Sequence, residues 1–115
     1  MHKIFLMPFA NVYVLYVNKV ERKGRTIEEL DEVIRWLTGF SENALRLHIK
    51  NQTNFTDFFS AAHINSNASL ITGSICGVKI QEIEDPLMLQ IRYLDKLVDE
   101  LAKGRPMEKI LRSVL

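Results

Sequence analysis

The stretch DPLMLQIRYLDKLVDELAKG, residues 85–104, decides the fold class of this chain. Asp85 is a good N-cap, Pro86 suits the first helical position, and Gly104 suits the residue just past a helix end. Between these signals the apolar residues recur at steps of three and four, which is the period of one helix face. They are Leu87, Ile91, Leu94, Val98 and Leu101. The stretch therefore predicts a long amphipathic helix that packs against other helices.

Similar signals bound a first helix between Pro8 and Gly24. Its apolar residues form one stripe at helical spacing: Phe9, Val12, Tyr13, Tyr16, Val17 and Val20. Val14 and Leu15 widen this stripe, so we expect the first helix to lie in the centre of the molecule. The basic residues Lys3, Lys19, Arg22 and Lys23 are interpreted as a solvated helix end near the negative end of its dipole.

A capping box formed by Thr26 and Glu29 opens a second helix that ends at Gly39. Its predicted outer face carries Glu28, Asp31, Glu32 and Arg35. Ser41 caps a third helix. Pro106 begins a short final helix, in which Ile110, Leu111 and Leu115 are apolar.

Residues 51–80 have only two charged side chains and many Asn, Ser and Thr. Phe55, Phe58 and Phe59 predict a short helix, capped by Thr53 or Asn54, that inserts aromatic rings into the core. Residues 63–69 are expected to form a loop. For residues 70–80 we favour a broken helix with two glycines on one face. The alternative is an irregular stretch with positive φ at the glycines, followed by a short extended piece.

The composition fits one soluble globular domain. The chain has 115 residues, of which 47% are hydrophobic and 25% charged, with a net charge of +1. This balance argues against nucleic acid or an anionic membrane as a partner. Cys76 is the single cysteine and cannot form an internal disulfide, and residues 4–17 are too short to span a bilayer. We therefore predict a single cytoplasmic all-α domain over residues 1–115, a compact bundle of five or six helices.

Three runs of sequence resemble a known family. They are MPFANVYVLYVNKVERKGRTIEELDEVIRWLTGF (residues 7–40), SLITGSICGVKIQEI (69–83) and EDPLMLQIRYLDKLVDELAKGRPMEKIL (84–111). Together they are similar to a group of small bacterial proteins known as domain of unknown function 2200. The resemblance implies a stand-alone cytosolic bacterial protein of one domain. It implies no activity, cofactor or catalytic residue.

The weakly charged segment 51–80 is the predicted place for a ligand or partner contact, because small and uncharged polar residues permit close backbone approach. The candidate residues are His63, Asn65, Ser69, Gly73, Ser74, Cys76 and Gly77. The three histidines have no metal-ligand spacing, and there is no phosphate-binding or dinucleotide-binding motif. The sequence therefore indicates neither a metal nor a cofactor.

Two other functions stay open. Residues 29–50 resemble a helix-turn-helix, whose recognition surface would present Asn43, Arg46, His48 and Lys50 to nucleic acid. A thiol enzyme centred on Cys76, Ser74 and His63 is the second alternative. The preferred hypothesis is a non-enzymatic binding or protein-interaction module. A homodimer that uses residues 86–103 is one version of it, if that helix is more apolar than a single core requires.

Overall fold

The structure is a computed structural model that describes residues 2–112. This part of the chain contains six α-helices: α1 (Phe9–Arg22), α2 (Ile27–Thr38), α3 (Glu42–Lys50), α4 (Phe55–Ala61), α5 (Pro86–Ala102) and α6 (Met107–Ile110). A two-stranded hairpin, β1 (Ser74–Ile75) and β2 (Val78–Lys79), lies between α4 and α5. The predicted all-α bundle is confirmed, whereas Leu115 of the predicted last helix lies outside the described residues. No helix within residues 2–112 is both long and apolar enough to cross a membrane.

The helix α5 lies at the centre of the bundle. It packs against α1, α2, α4, α6 and the hairpin. Its fully buried residues are Ile91, Leu94, Leu97, Val98 and Leu101. The apolar stripe predicted from the sequence is therefore used inside one subunit. The condition for a homodimer through residues 86–103, an apolar stripe wider than one core requires, therefore has no support from these five residues.

Aromatic rings of α4 close the core beside α1, as predicted. The rings of Phe9 and Phe58 stack with their centroids 4.0 Å apart, and Phe55 meets Phe9 edge-on. Two backbone hydrogen bonds tie the segments together: the N–H of Phe9 donates to Thr53 O (2.8 Å), and that of Phe55 donates to Met7 O (3.1 Å). The start of α1 is thereby fixed against α4.

The prediction of a broken helix over residues 70–80 is wrong. Ser66–Leu70 forms a 3-10 turn, and the hairpin pairs Ile75 with Val78 across a two-residue loop. Both loop residues have positive φ, 52° at Cys76 and 77° at Gly77, which is the geometry of a type I′ turn. The extended alternative is correct, because positive φ at the glycines is incompatible with a right-handed helix.

A buried ion-pair cluster links α5 to the end of the described chain. Glu100 is only 6% exposed, and both of its carboxylate oxygens accept hydrogen bonds from Arg112. Arg105 also pairs with Glu100, at 3.1 Å. The amide Nδ2 of Asn67 donates to the carbonyl of Arg112 at 2.9 Å. These contacts attach the segment after α6 to the central helix.

We expect Glu100→Ala to lower the free energy of unfolding by about 3 kcal/mol, because it leaves the Arg112 guanidinium without its buried partner. Urea denaturation monitored by circular dichroism measures the loss. The exposed Glu32 on α2 provides the control, since Glu32→Ala is expected to cost less than about 0.5 kcal/mol. If Glu100→Ala and Glu32→Ala lower the free energy of unfolding equally, the buried ion-pair cluster does not stabilise the fold more than an exposed glutamate does.

The positive φ of Cys76 in the hairpin turn predicts how substitutions of this residue change the stability of the protein. A residue other than glycine with φ near +52° is strained, and asparagine tolerates this conformation best. Cys76→Asn should therefore raise the free energy of unfolding by about 0.5–1 kcal/mol relative to Cys76→Ser, which keeps the size of the native side chain. If the two variants denature at the same urea concentration, the turn is not strained at this residue.

Candidate functional site

The site residues predicted in segment 51–80 separate into two places. His63 and Asn65 bind the C-terminal end of α2, where their backbone N–H groups donate to Thr38 O (2.8 Å) and Leu37 O (3.0 Å). The side-chain amide of Asn65 donates to Trp36 O at 3.3 Å. These hydrogen bonds give Asn65 a structural role, because they anchor the chain that follows α4.

The other predicted residues lie in or beside the hairpin on α5. Lys96 of α5 donates to the carbonyl of Ser74 at 3.3 Å, and Cys76 is exposed at the hairpin tip. Ser69 is exposed in the preceding 3-10 turn. The hairpin residues Gly73 and Gly77 have positive φ. The predicted set therefore does not converge on one site.

Arg46, predicted to contact nucleic acid, is engaged within the protein. Its guanidinium pairs with Asp31 of α2 and with Glu42, and it also donates to the hydroxyl of Tyr13 at 3.3 Å. The Tyr13 hydroxyl in turn donates to Asp31 at 2.7 Å. Asp31 is 5% exposed, so its predicted place on the outer face of α2 is wrong. The reason is that these polar partners satisfy its charge at the junction of α1, α2 and α3.

A second cluster of the same composition lies one turn further along α1. The hydroxyl of Tyr16 donates to Asp95 of α5 at 2.5 Å, and Arg92 donates to the other oxygen of Asp95 at 2.9 Å. Burial, followed by the negative charge of Asp95, raises the pKa of Tyr16 well above its usual value. Burial, together with the hydrogen bond to Asp31, likewise raises the pKa of Tyr13 to about 12. Both phenols therefore stay protonated and act as hydrogen-bond donors at neutral pH.

The other predicted nucleic-acid residues are on α3. The Nδ1 atom of His48 is 3.0 Å from the hydroxyl of Thr53, and its ring lies 4.6 Å from that of Phe40. Partial burial lowers the pKa of His48. Asn43 and Lys50 are exposed on the surface of α3. The face of α3 thus combines a guanidinium that is bound to carboxylates with a histidine that packs among aromatic rings.

Cys76 and the histidines are the candidate partners in a thiol or metal site. Within residues 2–112, no hydrogen bond joins Cys76 to His48 or His63. The same part of the chain contains no group of three His, Cys, Asp or Glu residues arranged to hold a metal ion.

The outer surface of α1 is the most distinctive feature that the sequence prediction missed. Val14 is 56% exposed and Leu15 is 64% exposed, so the expectation that they widen the buried stripe is wrong. At 100° per residue, both side chains point away from the direction of Phe9 and Tyr16. Placing every residue of α1 on this helical projection would have shown Val14 and Leu15 as two apolar side chains about 100° apart on the side away from the core, with Asn11 and Asn18 between them.

A groove of about 470 Å³ adjoins this surface. The described residues that line it are Leu15, Asn18, Lys19, Arg22 and Lys23. Lys19 pairs weakly with Asp99 at 3.5 Å, whereas Arg22 and Lys23 have no ion-pair partner within residues 2–112. The groove therefore combines an exposed leucine with three cations at the C-terminal end of α1, of which only Lys19 is paired within the described part of the chain.

The lowered pKa of His48 predicts a pH dependence of stability. The unfolded chain takes up a proton near pH 6.5, before the folded protein does, so stability falls as the pH drops from about 7 through the lower folded pKa. We expect His48→Gln to lose less stability than the wild type between pH 7 and pH 5, measured by urea denaturation at each pH. Asn43→Gln, an exposed change on α3 that removes no titratable group, serves as the control and should retain the wild-type slope. If the free energy of unfolding of His48→Gln depends on pH as steeply as that of the wild type, His48 is not the source of the pH dependence.

The chain matches the model of a bacterial family described as "Uncharacterized protein conserved in bacteria (DUF2200)" over residues 3–112. Its fold is similar to a solved structure described as "Crystal structure of uncharacterized protein SP1917", with a TM-score of 0.90 and 44% sequence identity. That match covers 96% of this chain and 93% of that one. No curated protein matches the chain. Because the family model spans nearly the whole sequence, the chain belongs to the DUF2200 family of uncharacterized bacterial proteins, as its resemblance predicted.

Proposed function

We propose that this protein is a non-enzymatic protein-interaction module whose contact surface is the outer face of α1. This face is defined as the exposed residues Asn11, Val14, Leu15, Asn18 and Arg22. The observation that carries the proposal is the exposure of Val14 and Leu15 on adjacent positions of a rigid helix. A partner that covers a leucine of this kind gains roughly 1.5–3 kcal/mol from the apolar area removed from water.

The composition of the outer face suits a protein partner. Asn11 and Asn18 flank the apolar centre and carry no charge, so that covering them does not require a charge to be desolvated. Their amides offer both donors and acceptors for hydrogen bonds at the border of an interface. The nearest cations, such as Arg22, lie toward one end of the face. An apolar centre with a polar border is the usual organisation of a protein–protein interface.

The helix that carries this face is held rigidly, which supports binding with little loss of conformational entropy. On one side Tyr13 bonds to Asp31 of α2, and on the other Tyr16 bonds to Asp95 of α5. Its first residue, Phe9, is fully buried and hydrogen-bonded to the segment before α4. A partner therefore meets a surface that is already formed.

The alternative functions have less support from the contacts. Nucleic-acid binding would require Arg46 to leave Asp31 and Glu42. Thiol catalysis would require a base beside Cys76, and neither His48 nor His63 is hydrogen-bonded to it within the described residues. The module hypothesis requires no rearrangement of the described residues.

Photocrosslinking tests the proposal. A benzoylphenylalanine replacing Leu15 in the full chain, expressed in bacterial cells, should form discrete covalent adducts with a binding partner. The same probe replacing Leu47 of α3 is the matched control, because Leu47 is also an exposed helical leucine (55%) but lies off α1. Identified partners are then purified, and their affinity for the wild type is measured by calorimetry.

Leu15→Asp should weaken the binding of such a partner at least about tenfold, because it replaces an apolar anchor by a charge. Leu47→Asp should leave the affinity unchanged, and both variants should melt within a few degrees of the wild type. Identical adducts from positions 15 and 47, or equal affinities of the two aspartate variants, would contradict the proposal.

A further inference from the structure

We infer that the partner of the α1 outer face is a second copy of this chain, bound antiparallel so that oppositely charged ends of the two copies meet. The inference rests on the proposed function. Two ends are defined here. The basic end consists of Lys19, Arg22, Lys23 and Lys103, and the acidic end consists of Glu82, Glu84 and Asp85.

The two ends lie at opposite poles of the molecule because α1 and α5 run side by side in the same direction. Tyr16 contacts Asp95, Lys19 contacts Asp99, and Arg25, just after α1, donates to the carbonyl of Leu101. The acidic end directly precedes α5, whose N-cap is Asp85, whereas Lys103 follows the last residue of α5. The 17 residues of α5 span about 26 Å, close to the full 28–31 Å extent of the molecule.

Acidic side chains prevail at one pole and basic side chains at the other, with one exposed residue of opposite sign beside each set: Lys79 before the acidic end and Glu21 within the basic end. Residues 81–85 carry three acidic side chains and no basic one, and all three are exposed. At the basic end, Arg22 and Lys23 have no ion-pair partner within residues 2–112, while Lys19 and Lys103 share Asp99. A single subunit therefore presents one pole that is complementary to its other pole.

Apolar surface lies between the poles. Leu15 is exposed on α1, and Val78 of the hairpin is 40% exposed. Lys96, near the middle of α5, donates to the carbonyl of Ser74 at 3.3 Å and so places the hairpin beside the middle of α5, between the two poles. Two copies related by a twofold axis near Leu15 would bury this apolar surface at the centre of the interface.

Antiparallel packing satisfies the charges of both ends at once. In a twofold dimer the basic end of each copy meets the acidic end of the other, so the complementary contact forms twice. Parallel packing of the same faces would bring like charges together, which costs affinity and thereby selects one orientation. An interface of about 800 Å² per copy would need about one eighth of the 6638 Å² accessible surface of a subunit.

Analytical ultracentrifugation of the full chain tests the inference. We expect the wild type to sediment with twice its 13.3 kDa mass, and we expect the dimer dissociation constant to rise about tenfold or more from 0.05 to 0.5 M NaCl. A wild type that remains a monomer up to millimolar concentration would overturn the inference.

Charge-reversal variants test the orientation of the two copies directly. The double variants Arg22→Glu/Lys23→Glu and Glu82→Lys/Glu84→Lys should each raise the dissociation constant about 10- to 100-fold, because both interfacial contacts become repulsive. An equimolar mixture of the two should form a heterodimer with nearly wild-type affinity, because each reversed end then meets a complementary one. The control Glu28→Lys/Glu32→Lys changes two exposed acids of α2 and should leave dimerisation unchanged.

The outcomes separate the two proposals. If a charge-reversed variant fails to fold, two single variants still test the inference. The Leu15→Asp protein is expected to sediment as a monomer, whereas the Leu47→Asp protein is expected to remain a dimer. If the dimer persists in the charge-reversed and Leu15→Asp variants, or if the mixture of reversed variants does not associate, the two copies do not meet through the acidic and basic ends.

If the wild type is a monomer and Leu15 crosslinks a different protein, the second-copy inference fails while the interaction module stands. A monomer without specific adducts rejects both.

Discussion

Burial of the apolar side of α5 is the constraint on which the rest of the structure depends. Removing each of its buried leucines and isoleucines from water contributes roughly 1.5–3 kcal/mol, and only several elements packed together can cover them. The helices α1, α2, α4 and α6 and the hairpin provide this cover. Because α5 is surrounded, surfaces that are available to a partner belong to the outer elements. For this reason the exposed apolar residues of α1 indicate a binding surface, whereas the longer apolar stripe of α5 indicates the core.

Polar contacts at the border of the core determine how α1 is oriented. Tyr13 and Tyr16 project from neighbouring turns and donate to carboxylates on α2 and α5, and each carboxylate is paired with an arginine. Rotating α1 to bury Leu15 would break both tyrosine contacts and leave partly buried carboxylates with fewer donors. The exposure of the outer face thus follows from the same interactions that hold α1 in place.

The unusual backbone conformation of Cys76 has a structural cause and does not indicate a catalytic role. Its positive φ is the requirement of a two-residue hairpin turn, which explains the unusual backbone without invoking a reaction. The uncharacterized relative with a TM-score of 0.90 shares the fold and brings no activity with it. The surface chemistry of α1 and the charge separation along α5 therefore carry the functional hypothesis.

The sequence by itself determined the helices, because capping residues, prolines and glycines act locally and apolar spacing follows the helical period. It also predicted the aromatic insertion of α4 and the family. Only the tertiary structure decided that Asp31 points inward, that Arg46 is bound to carboxylates, and that Leu15 points outward. These outcomes depend on which side chains meet across helices that are distant in the sequence. The hairpin was likewise decided by packing on α5, since two glycines four residues apart suit either a close helix contact or a turn.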